Sequence, residues 1–300
     1  MKVLLCGDLD AAERAEWLAA LGVAMPEAQW LDLDEARAAP DAVQAAVVAN
    51  PPPGSLQGLP NLRLIQSLWA GVDRLVGDTT LPVGVPVARM VDPAMNAAMA
   101  ETVLWAVLSL HRGFFAYQQR QREGVWRQHA QRRADEIGVL VLGAGQMGRT
   151  AAERLRALGY RVSTWRRDGT PLQPLLATAL VVVNLLPLTP YTRGLLDARF
   201  FAALPVGAGI VNVARGAHVV DTDLLAALDS GHLRHAVLDV FHTEPLPAGH
   251  PYWAHPKVTV LPHAAAGTDA RSAAAVAVAN LRALRDGAPL AHLVDRTRGY

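Results

Sequence analysis

The apolar run Val139-Leu140-Val141-Leu142 breaks into Gly143-Ala144-Gly145-Gln146-Met147-Gly148, and a helix-forming stretch follows over 149–158. G-x-G-x-x-G between a strand and a helix suits a phosphate-binding turn. Gly143 permits the tight turn, Gly145 the close approach of a diphosphate, and Gly148 the packing of helix on strand, while the helix start offers free N–H donors. About twenty residues later a second strand, 160–165, ends at Arg166-Arg167. The end of that strand faces the adenine ribose in a dinucleotide-binding unit. A carboxylate there accepts hydrogen bonds from the 2′-hydroxyl of NAD, whereas an arginine, permanently charged and fork-shaped, pairs with the 2′-phosphate of NADP. The spacing predicts a nicotinamide dinucleotide site that prefers NADPH to NADH.

Three later segments place polar residues just after apolar strands. Asn212-Val213-Ala214-Arg215-Gly216 is one, Asp239-Val240-Phe241-His242-Thr243-Glu244-Pro245 the second, and Leu261-Pro262-His263-Ala264-Ala265 the third. In a parallel sheet these ends share one edge with the Gly143 turn, so Arg215, Glu244 and His263 can converge although far apart in sequence. Each has a bland alternative when taken alone. His263 after a proline can be a hydrogen-bonded structural residue, Arg215 a surface ion-pair partner, and Glu244-Pro245 a turn. Asp239 can meet a nicotinamide carboxamide or cap a loop.

The elements that must position these residues follow from the wider pattern. Short apolar strands at 2–6, 46–48, 64–66, 138–142, 161–164, 180–184, 209–212, 236–240 and 258–261 alternate with helical stretches. That alternation predicts an α/β fold with parallel sheets covered on both faces. Three hundred residues, 51% of them hydrophobic, suffice for two domains with real cores. The division predicted is residues 1–95 with 271–300 as a discontinuous substrate-binding domain and 96–270 as the dinucleotide-binding domain, with the chemistry in the cleft between them. A long helix over 97–122 carries a wide apolar stripe, and another over 270–285 returns the chain to the first domain.

Composition narrows the partners. A net charge of +1 gives no general field to draw in nucleic acid or an anionic membrane. Arginines do cluster between Arg112 and Arg133, but no aromatic platform accompanies them, and a solvated helix face or coenzyme-side charges account for them better than RNA binding. The longest apolar runs, 102–110 and 175–188, are too short or too interrupted to span a bilayer, and the first residues are too short an apolar stretch for a signal peptide. The single Cys6 cannot form an intrachain disulfide and fits the core of a cytoplasmic protein. His232 with His235, and His250 with His255, lack a cysteine or carboxylate set, so no metal is expected. The length leaves no room for an appended regulatory domain.

The glycine fingerprint, Asn184-Leu185-Leu186-Pro187-Leu188-Thr189, Val211-Asn212-Val213-Ala214-Arg215-Gly216, Asp239-Val240-Phe241 through Glu244-Pro245-Leu246-Pro247, His250-Pro251-Tyr252-Trp253 and Leu261-Pro262-His263 together resemble the D-isomer-specific 2-hydroxyacid dehydrogenases. Within that family the pattern is most similar to the glyoxylate/hydroxypyruvate reductase branch. The match covers the coenzyme domain and weakens before residue 95, where Ser67-Leu68-Trp69-Ala70-Gly71-Val72-Asp73 looks like the family's substrate loop. The resemblance implies two Rossmann-like doubly wound domains, a flavodoxin-like substrate domain and an NAD(P)-binding Rossmann domain. It also implies a homodimer joined through the coenzyme domains.

Reducing a 2-keto acid requires a hydride at the carbonyl carbon and a proton at the oxygen. His263 is the expected general acid, since imidazole titrates near neutral pH. Glu244 orients it, and Arg215 clamps the substrate carboxylate and polarises the keto oxygen. By resemblance Trp69, Ala70 and Gly71 hold the substrate. Coenzyme contacts are then expected from Gly143, Gly145, Gln146, Met147, Gly148, Trp165, Arg166, Arg167, Leu186, Pro187, Thr192, Val213, Ala214, Asp239, His263 and Ala265. Two alternatives stay open: a reductase of a bulkier 2-keto acid, decided by the pocket around Trp69, Arg89, Met90 and Met95, and a non-catalytic dinucleotide-sensing protein.

Overall fold

A computed structural model describes all 300 residues, which fold as two compact units, Met1–Met95 with Thr268–Tyr300 and Asn96–Gly267. Each is a parallel α/β sheet. The boundary falls three residues before the predicted 270/271, because the loop leading to the last helix belongs with that helix.

The first unit contains β1 (Lys2–Gly7), α1 (Ala11–Ala24), β2 (Gln29–Leu31), α2 (Leu33–Ala38), β3 (Val43–Ala49), β4 (Ile65–Ser67), α3 (Asp73–Val76) and β5 (Val87–Ala88). The strands pair in the order β2-β1-β3-β4-β5, all parallel. Leu4, Cys6, Ala46, Val48, Ile65 and Val87 pack on one face. Asp10 and Asp32 cap α1 and α2 through complete capping boxes, which satisfies N–H groups that the first helical turn leaves orphaned.

The second unit runs from α4 (Pro93–Arg112), which begins three residues before the boundary. It continues through α5 (Phe114–Arg122), β6 (Gly138–Leu142), α6 (Gln146–Ala157), β7 (Arg161–Trp165), α7 (Gln173–Leu176), β8 (Val181–Asn184), α8 (Ala198–Ala202), β9 (Ala208–Asn212), α9 (Asp221–Asp229), β10 (Leu233–Leu238) and β11 (Val258–Val260). Finally α10 (Ala270–Asp286) returns to the first unit, where Asn280 Nδ2 donates to the buried Gln66 Oε1 at 2.7 Å. The second sheet has the order β11-β10-β9-β8-β6-β7. Side chains alternate between two cores: Leu140, Leu142, Val182 and Ile210 on one face, Val139, Val141, Val181 and Val183 on the other. Burial on both faces explains why these strands read as unbroken apolar runs. The chain leaves β6 for β7 on one side and returns to β8 on the other. That reversal opens the crevice where such sheets take ligands.

The single helix expected over 97–122 is two helices. Gly113 lies at φ +71°, and a Cβ there would stand 2.4 Å from His129 Cε1. The left-handed step ends α4 and starts α5 in a new direction. At 20 residues α4 is long and apolar enough to cross a bilayer by length and composition, which the run 102–110 alone did not suggest; half of that apolar window is buried. Met99, Val103, Val107 and Leu110 pack with Val139, Val141 and Val211, so its apolar stripe serves the core of this unit.

On β10 the buried His235 stacks on Phe115, centroids 4.1 Å apart, and pairs with the Thr259 hydroxyl at 2.8 Å. Burial first, then the charges of Arg234 and His255, pull its pKa down to about 4. Between pH 6.5 and 4 the unfolded chain binds a proton that the folded chain refuses, so stability falls as pH falls through that window, by about 3 kcal/mol at its end. Melting temperature against pH should therefore slope less steeply below pH 6.5 in His235→Phe, which keeps the stack. An unchanged slope would show that other groups set the acid limit.

Candidate active site

The glycine turn is built by close contacts. At Gly143, φ +106°, a Cβ would lie 2.5 Å from Leu185 O; at Gly148 it would lie 1.8 Å from Gly143 O. Both positions exclude any side chain. At Gly145 a Cβ would meet nothing within 4 Å, so this glycine answers to no contact inside the protein. It is the N-cap of α6 and supplies no side-chain cap. The first-turn N–H groups at Gln146, Met147 and Gly148 and the positive end of the helix dipole are thus suited to an anion. A dinucleotide diphosphate fits this cradle.

At the end of β7, Trp165 is buried. Its carbonyl accepts from Gly143 N at 2.8 Å, and its Nε1 donates to Thr170 O at 2.9 Å. The Trp165 side chain therefore anchors the loop from within the core. Arg166 is exposed, with Nε 2.5 Å from Asp168 Oδ2. Asp168 is held down at a pKa of about 2 by the Thr170 hydroxyl and by Arg166. Arg167 stands over the ring of Tyr191, 4.0 Å from its centroid. Two cations therefore border the crevice where the sequence placed a 2′-phosphate.

Behind the crevice lies a buried polar network. Asn184 Nδ2 donates to Asn212 Oδ1 and to His218 Nδ1, each at 2.9 Å, and Asn184 Oδ1 accepts from Leu186 N at 3.2 Å. With Nδ1 accepting, His218 carries its proton on Nε2, which faces Pro187 O at 3.3 Å. Asn212 holds the next loop, accepting from Ala214 N at 3.3 Å and donating to Arg215 O at 3.0 Å. The loops carrying Leu186 and Pro187, and Val213 and Ala214, are thereby locked together. Thr192 is buried, and its hydroxyl donates to Pro187 O and accepts from Thr189 N, both at 2.8 Å; it braces its own loop.

Arg215 follows β9, with Nη1 donating to Ala214 O at 2.7 Å. A Cβ at Gly216 would lie 2.0 Å from the Phe241 carbonyl carbon, so the Arg215 loop and the loop after β10 touch backbone to backbone. Asp239 is buried. Its two carboxylate oxygens accept from Ala264 N at 2.7 Å and Ala265 N at 3.1 Å, and its carbonyl accepts from His263 N at 2.9 Å. The loop-capping alternative weighed for Asp239 is thus present in its hydrogen bonds.

His263 sits at φ +54°, sparsely populated for a residue with a Cβ, and such outliers gather at functional sites. Its Nδ1 lies 2.7 Å from Glu244 Oε2, while Glu244 Oε1 accepts from Phe241 N at 2.8 Å. A carboxylate only accepts, so Nδ1 carries a hydrogen and Nε2 is the nitrogen left for chemistry. The imidazole is half exposed.

In the first unit, Trp69, Ala70 and Gly71 follow β4. Ser67 Oγ accepts from Trp69 N at 3.0 Å, and Met90 N donates to Trp69 O at 3.1 Å. The N–H groups of Ala70 and Gly71 donate to no acceptor in the protein, which suits a carboxylate. Sequence reasoning singled out no role for His218, Asn212, Asp168 or Tyr191. The Asn184 and Asn212 motifs were visible, but their pairing depends on β8 and β9 being neighbours.

Residues 104–265 match the family model for the D-isomer specific 2-hydroxyacid dehydrogenase, NAD binding domain. The chain is 39% identical over 305 residues to glyoxylate/hydroxypyruvate reductase A of Serratia proteamaculans, covering 95% of this chain and 96% of that one. Among solved structures, a D-isomer specific 2-hydroxyacid dehydrogenase from Xanthobacter autotrophicus Py2 in complex with NADPH and MES superposes with a TM-score of 0.93. It is 40% identical, with 100% of this chain and 99% of that one covered. The NADPH-dependent glyoxylate/hydroxypyruvate reductase of Sinorhizobium meliloti, in complex with NADP and sulfate, gives 0.91 at 33% identity, with the same coverage.

Proposed function

The chain belongs to the D-isomer-specific 2-hydroxyacid dehydrogenases, and on that footing we propose that it reduces glyoxylate, hydroxypyruvate and similarly small 2-keto acids with NADPH. The observation that carries this reading is the 2.7 Å pairing of His263 Nδ1 with Glu244 Oε2, on the sheet edge that also bears the glycine turn. When bound, NADPH supplies the hydride for the carbonyl carbon. His263 Nε2 gives a proton to the carbonyl oxygen and recovers one from solvent, and Glu244 fixes the orientation of the ring. Arg215 holds the substrate carboxylate and stabilises negative charge growing on the oxygen. Trp69 and the N–H groups of Ala70 and Gly71 contribute to substrate binding. Arg166 and Arg167 would hold the 2′-phosphate. The start of α6 would take the diphosphate, and residues 186–187, 213–214, 239 and 265 would line the rest of the dinucleotide.

We further propose a homodimer joined through the second unit, where Trp105, Phe114 and Trp126 expose large apolar surfaces, and a cytoplasmic location, suited to the lone buried Cys6. NADPH consumption with a panel of 2-keto acids tests the activity. Glyoxylate and hydroxypyruvate should turn over faster than branched or aromatic acids, and NADPH should be used better than NADH. Preference for the bulky acids would move the substrate assignment. Tight NADPH binding with no turnover on any acid would make the protein a dinucleotide sensor.

A further inference from the structure

Two adjacent arginines follow β7, and they are held in opposite ways. Arg166 is partly neutralised, its Nε 2.5 Å from Asp168 Oδ2. Arg167 has no carboxylate partner; its guanidinium lies over the Tyr191 ring instead, 4.0 Å from the centroid. An aromatic face attracts a guanidinium through its quadrupole without cancelling the charge. Arg167 is therefore placed by the ring while its charge stays available to an anion.

Tyr191 is 70% exposed, so core packing does not account for a large ring there. Its backbone is nonetheless fixed. Thr192 N and Arg193 N donate to Thr189 O at 3.1 and 3.0 Å, and the Thr192 hydroxyl ties Thr189 N to Pro187 O. This tight turn follows β8, Arg167 follows β7, and the two strands flank β6. The Tyr191–Arg167 contact thus spans the carboxyl end of β6, where the glycine turn begins.

We propose that Tyr191 is a positioning residue for coenzyme selection: its ring holds the Arg167 guanidinium where the 2′-phosphate of NADPH binds. This rests on reading Arg166 and Arg167 as the 2′-phosphate site. The ring removes much of the rotamer freedom that an exposed arginine otherwise loses on binding an anion.

Calorimetric titration of the full-length protein with 2′-AMP and 5′-AMP, alongside NADPH and NADH, tests it. Tyr191→Ala should weaken 2′-AMP and NADPH about three- to five-fold and leave 5′-AMP and NADH unchanged. Tyr191→Phe keeps the aromatic face and should bind as the wild type does. In Arg167→Gln, adding Tyr191→Ala should cost nothing more. The proposal is overturned if Tyr191→Ala binds 2′-AMP normally while Arg167→Gln does not. Equal weakening of 5′-AMP also overturns it, since the ring would then be touching adenine. If neither Arg166→Gln nor Arg167→Gln affects 2′-AMP, the 2′-phosphate reading itself falls.

Discussion

Replacing His263 with alanine should lower kcat for hydroxypyruvate by about a thousand-fold while NADPH still binds within about two-fold of the wild-type affinity. The expectation follows from the division of labour on the imidazole. Nδ1 is committed to Glu244 at 2.7 Å, which leaves Nε2 as the nitrogen to give up a proton. Removing the ring removes the donor but leaves the glycine turn, the α6 start, Arg166 and Arg167 in place. The surrounding backbone should also survive, because Asp239 holds the loop through the N–H groups of Ala264 and Ala265. Steady-state rates combined with fluorescence titration separate the two effects. Retained turnover would mean that another group supplies the proton. A parallel loss of NADPH affinity would mean that the loop, rather than the ring, was damaged.

Arg166→Asp should raise the Kd for NADPH roughly a hundred-fold and leave NADH within a few-fold. Charge-assisted hydrogen bonds to phosphate contribute about 1.5–3 kcal/mol each, and a carboxylate adds repulsion in place of the lost attraction. The substitution also sets a new carboxylate beside Asp168, which loses one of the partners that hold it ionised down to a pKa of about 2. NADH has no 2′-phosphate and should feel little of this, while its 2′-hydroxyl can donate to the new carboxylate. Titration of the variant with both coenzymes measures the difference. Equal weakening of the two would place Arg166 away from the adenosine end.

Much of this arrangement was legible in residue order because the phosphate turn is local. Gly143, Gly145 and Gly148 act within six residues, and the strand and helix around them carry period and composition of their own. The two-unit division was equally readable from the alternation of strands and helices. The break at Gly113 was not. An isolated glycine in a helical pattern reads as tolerated, and only the contact with His129, sixteen residues on, leaves the position no room for a side chain. The Asn184–Asn212–His218 network was hidden for a related reason. Its members are brought together by sheet order, and polar residues at strand ends look the same whether they face a ligand or each other. Asp239 shows that ambiguity at one residue, since by sequence its carboxylate fits a ligand contact or a cap, and its hydrogen bonds supply the cap. The Tyr191–Arg167 pair joins two loops across β6 and left no motif at all.

The most direct measurement is a crystal structure with NADPH and the unreactive 2-keto acid analogue oxamate. His263 Nε2 should lie within hydrogen-bond reach, about 3 Å, of the analogue's carbonyl oxygen, with Nδ1 still on Glu244. An imidazole turned away from that oxygen, with the coenzyme and analogue both bound, would contradict the account.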